Sequence, residues 1–236
     1  MNSILGFVLA PGERRRSRTF DRKMNSPDDA KRLIAVLDNE ITHLSSVFST
    51  YARLFHGDED IRALLSDSDG AFFSDLYVVY LHYISVSVSR LLDPATTGKK
   101  ANLTIAAVIK ILSSQNHPRV IEFEERLLKI RESAYNFVDP RNQLVSHLDL
   151  DANDIDPGKR PIPSFTKSEF ESFYKDTGQL MNDIRDVVGM SPNMYECGIM
   201  GHGCGRKLLH RLKTAHEHVT KQIEHGEADK ASPVCS

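Results

Sequence analysis

Residues 27–55 read PDDAKRLIAVLDNEITHLSSVFSTYARLF, and their apolar side chains recur at spacings of three and four residues. This spacing is typical of a helix that buries one face. Ser26 can cap such a helix, and Pro27 suits its first position, where a missing amide hydrogen breaks no helical bond. The segment is therefore predicted to be one long amphipathic helix. Its apolar positions are Leu33, Val36, Leu37, Ile41, Leu44, Val47, Phe48, Tyr51 and Leu54.

The most apolar segment, LYVVYLHYISVSVSRLL at 76–92, is predicted to be the central helix of a bundle. It contains His82, Arg90 and several hydroxyl side chains, whereas a membrane helix needs about 20 predominantly apolar residues. Residues 85–89 alternate as a strand would, but no Gly or Pro bounds the run and the apolar segment is longer than a typical strand. We therefore expect a buried helix that does not cross a membrane.

Helical spacing continues through most of the remaining chain. Helices are predicted from about 102–104 to 112 and over 119–138, and Asp139 and Pro140 are expected to begin a new helical turn. Residues 151–165 are rich in Asp, Pro and Gly and indicate a loop, after which Thr166 and Glu169 form a capping box for another helix. A polar helix is expected from Arg206 to about His225. With no internal repeat and no convincing strand pair, the predicted fold class is all-α, with four long antiparallel helices at its core.

The composition is that of an ordinary globular protein of one domain. The 236 residues include 30 Lys and Arg against 32 Asp and Glu, a formal net charge of −2, so any site for a polyanion must be local. Three cysteines cannot all pair within one chain, so a cytoplasmic location is expected.

Three regions are predicted along the chain. Residues 1–23 place an apolar stretch before a basic one, the reverse of a secretory signal, and are expected to be a disordered tail or a start-site extension, since Met24 offers a second start. Residues 24–225 are expected to form a single helical domain, and 226–236 a disordered tail.

The segment beginning at Arg141 carries the clearest candidate chemistry. A guanidinium can hold phosphate oxygens and an imidazole titrates near neutrality, so Arg141 and His147 are the groups needed to cleave RNA without a metal. Asn142 can add an orienting hydrogen bond. Six residues correspond to about 600° of helical rotation, so Arg141 and His147 do not share one face, but two copies meeting at a two-fold axis can bring them into one groove. The alternative is that Arg141 pairs with an acidic neighbour and His147 is a packed or surface histidine.

A second candidate lies near the C-terminus, where four side chains have the chemistry of zinc ligands. Their spacing matches none of the common zinc patterns, and the glycines among them lack the strand and Gly-Lys-Ser/Thr of a phosphate-binding loop. We therefore expect no metal and no cofactor. The four residues are Cys197, His202, Cys204 and His210.

The pattern Arg141-Asn142-x4-His147 resembles the Arg-x(4–6)-His signature of the HEPN superfamily. More specifically, LFHG at 54–57, FF at 72–73 and SRLLDPATTGKKANLTI at 89–105 resemble the abortive-infection AbiU-like branch, over about residues 27–220. The resemblance departs at Gln143, where relatives often carry a basic residue.

The resemblance implies a HEPN-type antiparallel four-helix bundle with additional short helices, usually dimeric. It also implies a metal-independent endoribonuclease of defence or toxin character, with Arg141, Asn142 and His147 in a site shared across a homodimer. RNA is then the substrate, and an antitoxin protein is a further partner. One alternative is a non-catalytic HEPN module that binds RNA, nucleotide or a protein partner. Another is a purely structural dimer in which Arg141 and His147 form buried interface bonds.

Overall fold

The structure, a computed structural model, describes residues 26–140, 165–195 and 205–224. These residues form seven helices and one two-stranded hairpin, which confirms the all-α fold class. The elements are α1 Pro27–Phe55, α2 Glu59–Leu92, β1 Thr96–Thr97, β2 Lys100–Ala101, α3 Ile105–Ser114, α4 Val120–Ser133, α5 Tyr135–Pro140, α6 Lys167–Val187 and α7 Arg206–Glu224. The predicted tails, 1–23 and 226–236, lie outside the described residues.

Helix α1 has the bounds that the sequence predicts. The Ser26 hydroxyl accepts from the Asp29 amide at 3.2 Å, and the Asp29 carboxylate accepts from the Ser26 amide at the same distance, so a capping box fixes the first turn. One face of α1 is buried along its whole length, and α2 and α6 both pack against it in the antiparallel direction. The antiparallel pairs include His43 with Tyr83 of α2 and Phe48 with Phe170 of α6.

Helix α2 is continuous except for a kink at Asp69, whose backbone is extended (φ −171°, ψ 86°). The Asp69 carboxylate accepts from the amide of Phe72 at 3.0 Å and so caps the second half of the helix. The residues Asp67, Ser68, Asp69 and Gly70 favour a turn that leads into a helix from about Ala71, and the sequence before them predicts only a short helical turn over 60–65. The structure instead has one helix from Glu59, in which Asp69 alone leaves the helical conformation.

The C-terminal half of α2 lies in the core, with Ile84, Val88 and Leu91 almost fully buried. By length and apolar composition alone, α2 is the one helix within the described ranges that could cross a membrane. Core helices pass the same test, so this property is weak evidence for a span. Residues 84–92 thus have the packing of the predicted central helix, whereas 76–83 do not, since Val79 is 61% exposed and Tyr83 is 40% exposed.

A small hairpin follows α2 and corrects the prediction that the chain has no strand pair. Thr96 pairs with Ala101 and Thr97 with Lys100, and Gly98 takes the positive φ of 58° that the tight turn requires. The Asn102 amide group donates to the carbonyl of Pro94 at 2.9 Å and to the Thr97 hydroxyl at 2.7 Å, which holds the hairpin closed.

The helix predicted over 119–138 is divided in two at Ala134. Helix α4 ends at Ser133 and α5 begins at Tyr135, a break that turns the ring of Phe137 into the core. Residues 139 and 140 are the last two of α5, so the prediction that Asp139 caps a new helix beginning at Pro140 is wrong. Burial of a phenyl ring therefore sets the helix boundary here, in place of the local capping signal.

Helix α6 joins α1 to α4. Its capping box of Thr166 and Glu169 forms as predicted, and its apolar stripe is buried between the two neighbouring helices. Arg185 of α6 and Tyr195, beyond its end, both donate to the carboxylate of Asp38 on α1. This largely buried cluster fixes residues 188–195 across the end of α6. Burial and the hydrogen bond to Asp38 raise the pKa of the Tyr195 phenol.

Candidate functional site

The residues with the clearest predicted chemistry, Arg141, Asn142 and His147, lie outside the described residues. Their roles stay predictions. The structure does describe the two chain segments that flank them. Pro140 is the last described residue of helix α5 and directly precedes Arg141, and the described chain resumes at Phe165.

Both flanking segments are anchored in one aromatic cluster. Phe137 of α5 has no exposed surface, and its ring lies 4.5 Å from that of Phe165, 5.9 Å from Phe173 and 6.2 Å from Phe170, measured between ring centroids. The fold therefore brings together described residues from the two sides of the 141–164 segment. Ring pairs at these separations add to the free energy gained from apolar burial.

A polar contact strengthens the same anchor. The Asn136 amide group of α5 donates to the carboxylate of Glu169 at 2.9 Å, and Glu169 also completes the capping box at the start of α6. Hydrogen bonds from Thr166 and Asn136 lower the pKa of Glu169. Helix α5 is thus fixed by the buried ring of Phe137 and, on its exposed side, by the hydrogen bond from Asn136 to Glu169.

A cleft of about 710 Å³ opens beside this cluster. It lies between the second half of α1, the first residues of α2 and the first half of α6. Phe48, Phe170 and Tyr174 form its apolar wall. Its ionisable side chains are Arg53, His56, Asp58, Lys167, Glu171 and Lys175.

His56 ends α1 and reaches back toward the core. Its Nε2 lies 3.0 Å from the hydroxyl of Tyr51, which is buried and hydrogen-bonded to Tyr77. Burial, with a smaller contribution from the positive charge of Lys167, lowers the pKa of His56. Burial also raises the pKa of the Tyr51 phenol. The imidazole is therefore neutral at pH 7, and the phenol keeps its proton.

Arg53 is the other notable side chain of the cleft. Its Nε is buried and has no hydrogen-bond partner among the described residues. Lys167 pairs with Glu171 at 3.7 Å, and both side chains are mostly exposed, so their attraction is weak. The cleft holds three permanent cations against two carboxylates, whereas the whole chain is slightly acidic.

One comparison with known proteins gives a match. A family model described as AbiU2 (HEPN_AbiU2) matches residues 27–200, from the first residue of α1 to beyond the end of α6. The chain belongs to the AbiU2 family. This family is of the HEPN type, so the chain is a HEPN module, and α7 follows the matched region. No curated protein and no solved structure gives a significant match to the chain.

The sequence blocks that resemble the AbiU-like branch have structural explanations. In LFHG, Leu54 is buried and Gly57 allows a close turn, since a Cβ at Gly57 would lie 2.7 Å from Cδ1 of Ile61. In the SRLLDP block, the carbonyls of Leu92 and Asp93 accept hydrogen bonds from Arg131 of α4 at 2.8 Å and 3.3 Å. These AbiU2 blocks thus build the turns between helices.

The cleft was not predicted from the sequence. Arg53 and His56 come from α1, whereas Lys167 and Lys175 come from α6, so no local motif joins them. The LFHG block contains His56, but its resemblance to the family does not indicate a cleft.

The candidate zinc residues are only partly described. His210 is exposed on α7, whereas Cys197, His202 and Cys204 lie outside the described residues. Within the described ranges, no group of three or more His, Cys, Asp or Glu side chains is placed to hold a metal ion.

Proposed function

We propose that this AbiU2-family chain is a metal-independent endoribonuclease of defence or toxin character. The observation that carries the proposal is the Arg141-Asn142-x4-His147 pattern in a chain that belongs to a HEPN-type family. The anchoring of α5 supports it, because a catalytic group needs a rigid element to position it. A cytoplasmic location and an antitoxin partner belong to the same proposal, as does the absence of a membrane interaction.

The proposed chemistry is cleavage by the neighbouring 2′-hydroxyl of the RNA. The 2′-oxygen bonds to phosphorus as the bond from phosphorus to the 5′-oxygen breaks, leaving a 2′,3′-cyclic phosphate and a 5′-hydroxyl. One His147 imidazole takes the 2′-hydroxyl proton, and a second, protonated imidazole donates a proton to the 5′-oxygen. Arg141 stabilises the charge that develops on the phosphoryl oxygens, and Asn142 orients the phosphate.

The proposed site is shared across a homodimer. One chain supplies one His147, whereas the reaction uses one imidazole as base and one as acid. A two-fold axis beside the motif supplies the second imidazole and the second guanidinium in the same groove.

The test is incubation of the purified full chain with single-stranded RNA in excess chelator. We expect the unaltered protein to cleave, and Arg141→Ala and His147→Ala each to lose about 100-fold or more in rate. Arg90→Ala and His218→Ala are matched controls at exposed positions of α2 and α7 and should keep the rate. Cleavage that persists in both motif variants would refute the proposal, and RNA retention without product would assign the chain to the non-catalytic binding modules.

A mixing experiment tests the shared site. Unaltered and His147→Ala chains are unfolded together in equal amounts, refolded and assayed, so that about a quarter of the dimers contain two His147 side chains if pairing is random. Because the shared mechanism uses both imidazoles, the cleavage rate should fall to about a quarter of that of the unaltered protein at equal total concentration. A rate of about half would show that each site belongs to a single chain.

A further inference from the structure

The cleft beside α5 contains positive charge that the described protein does not neutralise. Arg53 and Lys175 make no ion pair with any described residue, and the buried Nε of Arg53 has no hydrogen-bond partner there. The Nε atom itself is closed to solvent, so a ligand in the cleft would act on the positive charge of the guanidinium and not on Nε. Two cationic side chains without a carboxylate partner favour an anion in the cleft.

The walls of the cleft indicate which kind of anion fits. Tyr174 is partly exposed and lines the cleft next to the cationic side chains, whereas the ring of Phe170 is buried and stacked on Phe48, 3.6 Å away between centroids. Aromatic rings interleaved with Arg and Lys are typical of grooves for single-stranded nucleic acid, in which bases stack on rings and cations follow the phosphates. Arg is also well suited to phosphate, because its donors match two phosphate oxygens.

The cleft and the helix that precedes Arg141 are packed on the same residue of α6. Phe170 lines the cleft and also contacts Phe137 of α5, and the last described residue of α5, Pro140, directly precedes Arg141 in the sequence.

We propose that Arg53, Lys167 and Lys175 form a phosphate-binding subsite for the RNA strand, outside the residues that carry out cleavage. This inference rests on the proposed function for its choice of RNA as the ligand. The subsite acts in binding, so it contributes to affinity for RNA of several nucleotides and leaves the chemical step to the Arg141 motif.

The experiment measures binding separately from cleavage. The unaltered full chain is titrated with a fluorescent 2′-O-methyl oligouridine of about 16 nucleotides, which lacks the attacking hydroxyl and cannot be cleaved. We expect Arg53→Gln to weaken binding about tenfold and to reduce the dependence of log affinity on log salt by about 0.7 per lost phosphate contact. Lys175→Gln, at an exposed position, should change both quantities in the same direction.

The matched control is Arg90→Gln, whose side chain is 59% exposed and lies 4.0 Å from Glu40, away from the cleft. Unchanged binding in both Arg53→Gln and Lys175→Gln overturns the inference, as does displacement of the RNA by polyglutamate at equal charge concentration, which indicates a site for an acidic protein segment. If Arg53→Gln does not fold, the double variant Lys167→Gln with Lys175→Gln decides by the same criteria. Cleavage assays are independent of this result: loss of cleavage in the motif variants tests the proposed function, and loss of affinity in the cleft variants tests the subsite.

Discussion

Phe137 is the residue whose replacement tests the described structure most directly. Its ring is fully buried and contacts Phe165, Phe170 and Phe173, so it joins the helix before Arg141 to the segment that follows the motif. Replacement of a buried Phe by Ala costs about 3–5 kcal/mol, through lost apolar burial and the cavity that remains. For a domain of this size, the expected fall in Tm is about 6–20 °C.

The assay is urea unfolding followed by far-UV circular dichroism, at one fixed protein concentration because the chain is proposed to be a dimer. Phe72→Ala is the matched control, since the same change is made on α2 at a ring that is 55% exposed. Its effect should stay within about 0.5 kcal/mol. If Phe137→Ala loses no more free energy of unfolding than Phe72→Ala, the anchoring of α5 in the aromatic cluster is refuted.

Three further predictions concern the packing of α1 and α6 and the end of α1. A Cβ at Gly178 would lie 2.9 Å from Cβ of Tyr195, so Gly178→Ala should cost about 1–3 kcal/mol in urea unfolding. Gly70→Ala, where the new Cβ would make only an ordinary contact of 3.7 Å with Oγ of Ser66, should be neutral or stabilising. Asp38→Ala should cost about 3–5 kcal/mol because it leaves a buried guanidinium without its carboxylate, and an unchanged urea midpoint would contradict the buried pair. Because burial lowers the pKa of His56 below 6.5, the unfolded chain binds more protons than the folded one, and stability falls as the pH drops below about 6.5. His56→Gln should therefore lose less stability than the unaltered chain between about pH 7 and pH 5, and parallel curves would show that this histidine does not contribute.

Much of the fold follows from local sequence signals. The spacing in 27–55, the Ser26 cap and the Thr166 capping box predict α1 and the start of α6, and the structure has these elements at the predicted positions. Helix periodicity and caps can be predicted from the sequence because they depend on residues three or four positions apart. The family resemblance can be recognised for a similar reason, since its sequence blocks form local turns such as the one at Gly57.

Signals of this kind failed where a long-range contact outweighed a local preference. Asp139 and Pro140 favour a helix start, yet the helix already begins at Tyr135, because the break at Ala134 lets Phe137 enter the core. The hairpin at 96–101 was missed because each strand has only two residues, and Asn102 holds it through contacts with Pro94 and Thr97.

The sequence by itself determined the helical class, the long first helix and the chemistry available at Arg141 and His147. Only the tertiary structure decided that Phe137 and Phe165, on the two sides of the 141–164 segment, are in contact, and that Arg53 shares a cleft with Lys167 and Lys175. The physical reason is that helix periodicity is a short-range property of the chain, whereas a cleft is made by antiparallel packing of helices far apart in the sequence. The packing of α1 against α6 decides which of their charged side chains face each other, and no local sequence pattern predicts that arrangement.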